Sequence, residues 1–185
     1  MGEILKITLN LVLICAAAGV ILSATWAMTD PVRVAKEAQE REQALKALIP
    51  DAESIKPVKD VKIADKDGII YRADKAGRPL GYVVLSYGRG YASFIRVLVA
   101  VDLTGKVTGI DILGHGETPG LGDQIDQSWF KDRFKGKVLE GLVVVKTEST
   151  REIQAISGAT ISSRGVTRAV KDAVEILKAE REKGI

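Results

Sequence analysis

An uncharged stretch near the N-terminus constrains the fold more than any other feature of the chain. From Ile7 to Met28 the sequence reads ITLNLVLICAAAGVILSATWAM, without a charged residue. As a helix, a run of about 20 apolar residues spans the ~30 Å hydrocarbon layer of a bilayer. Trp26 lies near one end, where aromatic side chains favour the membrane interface. The sequence therefore predicts a single transmembrane anchor, residues 1–29.

A cleaved signal peptide is the alternative interpretation, because Thr25-Trp26-Ala27 loosely resembles a cleavage site of small residues. However, the apolar run exceeds the ~7–15 residues of a signal-peptide core, and Lys6 is the only basic residue before it. We therefore favour an uncleaved anchor in the lipid bilayer. Its orientation stays open, since Lys6 flanks one end and Arg33 and Lys36 flank the other.

Cysteine and histidine limit the chemistry that the chain can perform with its own side chains. Cys15 and His115 are the only residues of these types. An internal disulfide, a Cys/His zinc site and an iron–sulfur cluster are therefore excluded, and we predict no metal site. The net charge of +3 is spread along the chain, so nucleic acid is not an expected partner. Redox chemistry would need an organic cofactor or oxygen ligands.

The segment from 30 to 68 is predicted to connect the anchor to a folded domain. Asp30-Pro31 is typical of a helix start, and the following residues, up to a stop at Pro50, predict a stalk helix. The charged residues 51–68 contain Pro57 and predict a connector with at most one short strand.

Residues 69–185 predict an α+β domain, since a block of strands is followed by helices. Four antiparallel strands are expected at 69–74, 80–87, 93–102 and 106–113, the last two joined by a turn at Gly105. A short helix around SWFKDRF, a strand at LEGLVVVK and a final helix from Ser163 to Lys183 follow. In this helix the apolar residues that recur at helical spacing are Val166, Val170, Ala173, Val174 and Leu177.

The glycine-rich segment GHGETPGLGD, residues 114–123, has two interpretations. Its glycines allow backbone N–H groups to approach a flat or anionic ligand, but an ordinary surface loop has the same composition. The glycine spacing and Pro119 do not fit a dinucleotide fingerprint. Within the segment, Glu117 is the candidate for a functional polar contact, and His115 is expected to be a hydrogen-bonding loop residue.

The hydroxyl cluster Ser157-Gly158-Ala159-Thr160 also has two interpretations. It could be a turn with a helix cap, formed without any ligand. Alternatively, Gly158 allows a tight turn that exposes the Thr160 hydroxyl, and the following helix would stabilise a phosphate joined to it. Ser162 and Ser163 could then cap the helix or bind the phosphate oxygens.

The anchor, the strands, GHGETPGLGD and SGATISS occur in the order found in the G subunit of the Rnf electron-transport complex. Over nearly its whole length the chain resembles that family, and it is similar to the homologous C subunit of the sodium-translocating NADH:quinone reductase. In this family a flavin transferase esterifies the threonine of S-G-A-T-x-[ST] to the phosphate of FMN. The resemblance therefore implies covalent FMN on Thr160. It implies further FMN contacts at Ser157, Gly158, Ala159, Ser162, Glu117, Thr118, Gly120, Leu121 and Gly122.

The resemblance also implies a function and partners. The chain would be an electron-carrying subunit of a membrane-bound ferredoxin:NAD-type oxidoreductase that moves cations, with no catalytic residue and no turnover of its own. Other membrane, iron–sulfur and flavin subunits would be its partners, and the flavin transferase would act during maturation. The chain would be a single-pass protein of the cytoplasmic (inner) membrane, with its FMN domain on the extracytoplasmic side. A membrane-tethered flavin sensor and a non-redox scaffold stay as alternatives.

Overall fold

The computed structural model describes residues 2–185 and has the predicted α+β architecture. The chain divides into two compact units, one ending at Arg41 and the other comprising Glu42–Ile185. The helices are α1 (Gly2–Leu48), α2 (Ser128–Lys131) and α3 (Thr160–Glu182). The strands are β1 (Ser54–Ile63), β2 (Lys66–Lys75), β3 (Arg78–Arg89), β4 (Phe94–Asp102), β5 (Val107–Gly114), β6 (Val144–Val145) and β7 (Ile153–Gln154).

The first unit is helical and exposes its apolar side chains, from Ile4 to Trp26. Helix α1 is long and apolar enough to cross a membrane. The prediction that a second helix starts at Asp30-Pro31 is wrong, because Pro31 lies inside α1. A proline removes only one helical N–H bond, and Arg33 pairs with Asp30 at 2.7 Å across this position.

The second unit is built on an antiparallel sheet with the order β1-β2-β3-β4-β5. Strands β2 to β5 confirm the four predicted strands, and Gly105 adopts φ +88° in the turn between β4 and β5. Strand β1 occupies part of the predicted connector. Its sequence shows little apolar alternation because it is an edge strand with exposed Lys56, Pro57 and Lys59. Lysine and proline at a sheet edge discourage pairing with other chains.

Both faces of this sheet are covered. Helix α3 packs on one face, and all of its predicted core residues are buried: Val166, Val170, Ala173, Val174 and Leu177. Ala44 and Leu45 pack on the opposite face. In β3, Val84 belongs to the first cluster and Val83 to the second, as the two-residue period of a strand requires. The central strands are therefore buried on both faces, and the loops at their ends are attached to this core.

The segment between β5 and α3 differs from its prediction in one of two places. The helix predicted at SWFKDRF is confirmed by α2 and a 3₁₀ turn over Asp132–Phe134. The predicted strand LEGLVVVK is mostly wrong, since a 3₁₀ turn occupies Leu139–Gly141 and only β6 is a strand. Apolar residues alone cannot make a long strand here, because β6 pairs with the two-residue β7.

Helix α3 begins at Thr160, three residues before the predicted start at Ser163. The reason is the role of Ser163 inside the first turn. Its hydroxyl accepts a hydrogen bond from the Ile156 backbone N–H at 2.9 Å and donates one to the Ala159 carbonyl at 3.0 Å. These bonds fold the preceding segment back on the helix. Thr160 is consequently the first helical residue and not part of the turn before it.

Candidate functional site

The two sequence motifs meet at a cavity of about 500 Å³ at one end of α3. Three segments that are distant in sequence build its walls: the turn between β3 and β4, the glycine-rich loop and the start of α3. The cavity is lined by Tyr91, Glu117, Thr118, Leu121, Gly122, Gly158, Ala159, Thr160, Ile161 and Ser162. Its volume lies within the range of small-molecule and cofactor sites.

Glu117 joins all three walls of this cavity. The side chain is only 5% exposed, and its carboxylate accepts hydrogen bonds from the backbone N–H groups of Tyr91 at 3.0 Å and Ala92 at 3.1 Å. The Ser162 hydroxyl donates a further hydrogen bond to the same carboxylate. Because a buried carboxylate needs such donors, Glu117 and its partners fix the relative positions of the three segments.

The surroundings of Glu117 keep its carboxyl group ionised. Burial by itself raises the pKa of the Glu117 carboxyl. The hydrogen bonds from the Ser162 hydroxyl and from the backbone N–H groups of residues 91–93 act in the opposite direction and outweigh burial, so the pKa lies below its ordinary value. At neutral pH the residue is therefore an anion that is used as a hydrogen-bond acceptor by the protein.

Thr160 combines a free hydroxyl with the positive end of a helix dipole. The residue is half-buried in the cavity wall, and its hydroxyl makes no hydrogen bond with any residue from 2 to 185. Ala159 stands at the N-cap position and offers no side-chain acceptor to the helix. The first-turn N–H groups of α3 are thus left for another partner. An anion joined to Thr160 would find those donors, which is the arrangement of phosphate sites at helix N-termini.

Two glycines keep the cavity open next to Thr160. Gly158 has φ +79°, and a Cβ atom at this position would lie 2.8 Å from Leu121 Cδ1. A Cβ atom at Gly122 would lie 2.8 Å from the Cβ of Glu117. A side chain at Gly122 would press on the Cβ of Glu117, so close packing favours glycine there. At Gly158 the terminal methyl of Leu121 could move aside, and the positive φ is the stronger reason for glycine.

Most residues implied by the two motifs lie at this cavity. Those that line it are Glu117, Thr118, Leu121, Gly122, Gly158, Ala159, Thr160 and Ser162. Gly120 and Ser157 are not among the lining residues, and Ser157 is exposed. The half-buried Thr160 and the fully enclosed Ser162 hydroxyl therefore have different surroundings from Ser157, although all three belong to one short motif.

Two cavity residues, Tyr91 and Ile161, are not among the FMN contacts that the resemblance implies. Tyr91 is 71% exposed and lies in the turn GRGYASF, where the Gly90 N–H donates to the Ser93 carbonyl at 2.9 Å. The sequence signal for Tyr91 was an aromatic residue between Gly90 and the start of β4. Ile161 is the residue after Thr160 on α3 and is exposed, which is an unusual position for a large apolar side chain on an amphipathic helix.

Trp129 is a natural candidate to cover a flat ring, but it does not line the cavity. It packs edge-on against Phe130, with ring centroids 6.0 Å apart. The guanidinium of Arg133 lies 5.1 Å from the centroid of the Trp129 ring. The indole therefore belongs to α2 and contacts Phe130 and Arg133, and it is not part of the cavity wall.

His115 has the structural role expected for it. Its Nε2 lies 2.8 Å from Asp126 Oδ2, and its Nδ1 accepts a hydrogen bond from the Glu117 backbone N–H at 3.1 Å. Both ring nitrogens are therefore occupied in holding the glycine-rich loop. Within residues 2–185 no group of three or more His, Cys, Asp or Glu side chains is placed to bind a metal ion.

Comparison with known proteins identifies an FMN-binding domain family in the part of the chain that contains the cavity. Residues 90–175 match the model of the FMN-binding domain family, and this range contains every residue that lines the cavity. The G subunit of the proton-translocating ferredoxin:NAD(+) oxidoreductase complex of Clostridium ljungdahlii is 40% identical over 94% of this chain and 91% of the relative. The G subunit of the Na(+)-translocating ferredoxin:NAD(+) oxidoreductase complex of Acetobacterium woodii is 35% identical over 94% and 91%, respectively.

A solved structure supports the same relationship at the level of the fold. The sequence of NqrC from Shewanella oneidensis, for which a crystal structure is known, is 31% identical to this chain. The match covers 70% of each chain, and the two structures superpose with a TM-score of 0.50. The resemblance carried by the two motifs thus extends to an experimentally determined fold.

Proposed function

This chain belongs to the family of G subunits of ion-translocating oxidoreductase complexes, and on that premise we propose that it carries electrons through FMN esterified to Thr160. One observation supports the attachment residue above all others. Thr160 is the first residue of α3, lines the cavity and has a hydroxyl without a hydrogen bond to any residue that the structure describes.

The residues around the cavity fit each part of FMN. The free N–H groups at the start of α3 would bind the phosphate oxygens and stabilise their charge. Leu121, Ile161 and Tyr91 would offer apolar contacts to the ring. When bound, FMN supplies the ability to accept and release electrons, which the side chains of this protein lack.

Glu117 is proposed to position the site and not to contact the ring through its carboxylate. Its oxygens already accept hydrogen bonds from the turn between β3 and β4 and from Ser162. The protein itself therefore holds the three walls of the cavity together. Electron donors and acceptors would be other subunits, which gives the chain a redox role without independent turnover.

Covalent attachment suits a membrane-anchored carrier outside the cytoplasm. Helix α1 would hold the protein in the membrane as a single span, and an ester bond would prevent loss of the cofactor where free FMN is scarce. We propose that the domain after α1 faces the extracytoplasmic side. The two relatives named above belong to complexes that translocate different ions, a proton and Na⁺, so family membership alone does not select the coupling ion.

A denaturing gel viewed under ultraviolet light tests the attachment. The full chain is produced with a flavin transferase, as wild type, as Thr160→Ala and as Thr147→Ala. Thr147 is the matched control because it is an exposed threonine that lies outside both motifs. A fluorescent band in wild type and Thr147→Ala that is lost in Thr160→Ala supports the proposal. A band that survives in Thr160→Ala contradicts it.

Orientation can be tested because Cys15 is the only cysteine and lies in the apolar stretch. A cysteine introduced at Asp67, whose side chain is 85% exposed, should react with a membrane-impermeant maleimide in intact cells. Labelling only after the cells are opened would place the domain in the cytoplasm. Co-purification with iron–sulfur and membrane subunits would favour the carrier over a flavin sensor or a scaffold.

A further inference from the structure

Arg164 is an exposed cation one helical turn after Thr160. It follows Thr160 by four residues on α3 and makes no ion pair or side-chain hydrogen bond with any residue between 2 and 185. Residues four apart on a helix lie on the same side, with about 5–6 Å between their Cβ atoms. The side chain of the later residue leans toward the helix N-terminus, which here is the end that carries Thr160.

Two other basic residues of α3, Arg168 and Lys171, have an acidic partner on the helix, whereas Arg164 has none among the described residues. Arg168 pairs with Asp172, four residues further, at 2.8 Å, and Lys171 lies 4.0 Å from Glu175 in the same relation. The residue four positions after Arg164 is Arg168, which has the same charge. The residue four positions before it is Thr160. Any acidic partner for Arg164 at this helical spacing must therefore be attached to Thr160.

We infer that Arg164 is the counter-ion of the phosphate on Thr160, an inference that rests on the proposed attachment of FMN. The guanidinium would donate hydrogen bonds to the phosphate oxygens, for which its planar fork is suited. With the first-turn N–H groups of α3 on one side and Arg164 on the other, the phosphate has donors from two directions. Arg164 is thus a positioning residue that holds the ester against the helix, and it does not take part in electron transfer.

The first test compares flavin-loaded and unloaded full chain in detergent micelles. Urea unfolding is followed for wild type, Arg164→Gln and the matched control Arg168→Gln, using fractions shown by mass spectrometry to be fully loaded or fully unloaded. Attachment of flavin should increase the folding equilibrium constant. The factor of this increase should be about two- to fivefold larger in wild type than in Arg164→Gln, which is the range expected for a partly exposed ion pair. The difference should shrink at high salt, and Arg168→Gln should behave like wild type.

The second test needs no flavin. Thr160→Glu places a carboxylate four residues before Arg164, which is the favourable order of charges on a helix. A double-mutant cycle of Thr160→Glu with Arg164→Gln should then give a favourable coupling that is absent from the cycle with Arg168→Gln. Both variants change exposed or half-buried residues at the surface, so folding is retained.

The two tests separate this inference from the proposed function. If Thr160 carries flavin but neither loading nor Thr160→Glu couples to Arg164, the counter-ion role is overturned and the attachment stands. If no flavin is found on Thr160, the proposed function fails, and the Thr160→Glu cycle still decides whether Arg164 reaches an anion at that position. Equal coupling to Arg164 and Arg168 would also overturn the inference, because it would reflect general charge and not a specific pair.

Discussion

The Ser162 hydroxyl donates a hydrogen bond to the Glu117 carboxylate, and this bond joins two motifs that are 45 residues apart in the sequence. Ser162 lies in the first turn of α3, two residues after Thr160, whereas Glu117 belongs to the glycine-rich loop. The position of Thr160 relative to that loop is therefore held by a buried, charge-assisted hydrogen bond. A substitution at Glu117 should therefore change the position of Thr160 relative to the glycine-rich loop.

Glu117→Gln should destabilise the protein in a pH-dependent manner. Because the folded-state pKa of Glu117 is lowered, the ionised carboxylate contributes stability that is complete above its unfolded-state pKa, about 4.3. That contribution is lost as the pH falls through the folded-state pKa. At neutral pH we expect the free energy of unfolding of the variant to be about 1–3 kcal/mol lower than that of wild type. This difference should shrink below about pH 4.

Urea unfolding at several pH values measures this effect, with Glu148→Gln as the control because Glu148 is exposed and has no partner among the described residues. A loss of stability in Glu117→Gln that is the same at neutral and at acidic pH would contradict the role assigned to the carboxylate. The variant should also attach less flavin, since the glutamine amide keeps only one acceptor oxygen for the donors of Tyr91, Ala92 and Ser162.

Gly158→Ala should reduce both stability and flavin attachment. An alanine at φ +79° costs about 1–2 kcal/mol, and its Cβ would also force the Leu121 side chain, which lines the cavity, to move. Gly105→Ala separates these effects, because Gly105 has φ +88° but no heavy atom within 4 Å of the position that a Cβ atom would take. Thermal unfolding and in-gel flavin fluorescence should show similar destabilisation in both variants but reduced fluorescence only in Gly158→Ala. Equal fluorescence in the two would refute the close-packing argument.

Ser163→Ala should cost more stability than Ser157→Ala, although both remove one hydroxyl from the same motif. The Ser163 hydroxyl is buried and bonded to Ile156 and Ala159, so its loss leaves the Ile156 N–H without an acceptor, at about 1–3 kcal/mol. Ser157 is exposed, and its replacement should stay within about 0.5 kcal/mol. Chemical denaturation of both variants checks this order, and a neutral Ser163→Ala would mean that the brace at the start of α3 is dispensable.

Gly165→Ala should destabilise the protein, contrary to the usual effect of alanine in a helix. A Cβ atom at this position would lie 2.6 Å from the Arg89 carbonyl oxygen, where the end of β3 passes close to α3. A backbone oxygen cannot rotate away, so we expect a cost of about 1–3 kcal/mol and displacement of the turn that carries Tyr91. If calorimetry shows a higher melting temperature instead, the contact between β3 and α3 is looser than the structure indicates.

The predictable parts of this fold are those in which local pattern and burial agree. Strands β2 to β5 alternate apolar and polar residues or run through a buried sheet, and α3 repeats apolar residues at helical spacing. Residues 51–68 were predicted to contain at most one short strand, whereas β1 has ten residues, because an exposed edge strand keeps lysine and proline where a central strand needs apolar residues. LEGLVVVK has the composition of a strand, but only two of its residues find a strand partner.

The site was predicted in its parts but not in its assembly. Both motifs could be recognised as short segments, and a helix apolar enough to cross a membrane follows from composition alone. That Tyr91 lines the cavity with them depends on the close approach of β3 to α3 at Gly165. No local pattern records such a contact between distant segments.

By itself, then, the sequence determined the apolar helix, the strand block and the two motifs that carry the resemblance to the family. The helix and the strands depend on composition and spacing, which are properties of neighbouring residues. Tertiary structure decided that Thr160 begins a helix, that its hydroxyl forms no hydrogen bond with the described residues, and that the Glu117 carboxylate braces the loops. Those outcomes required the packing of separate segments around one buried charge, because a hydrogen bond forms only where folding brings its donor and acceptor together.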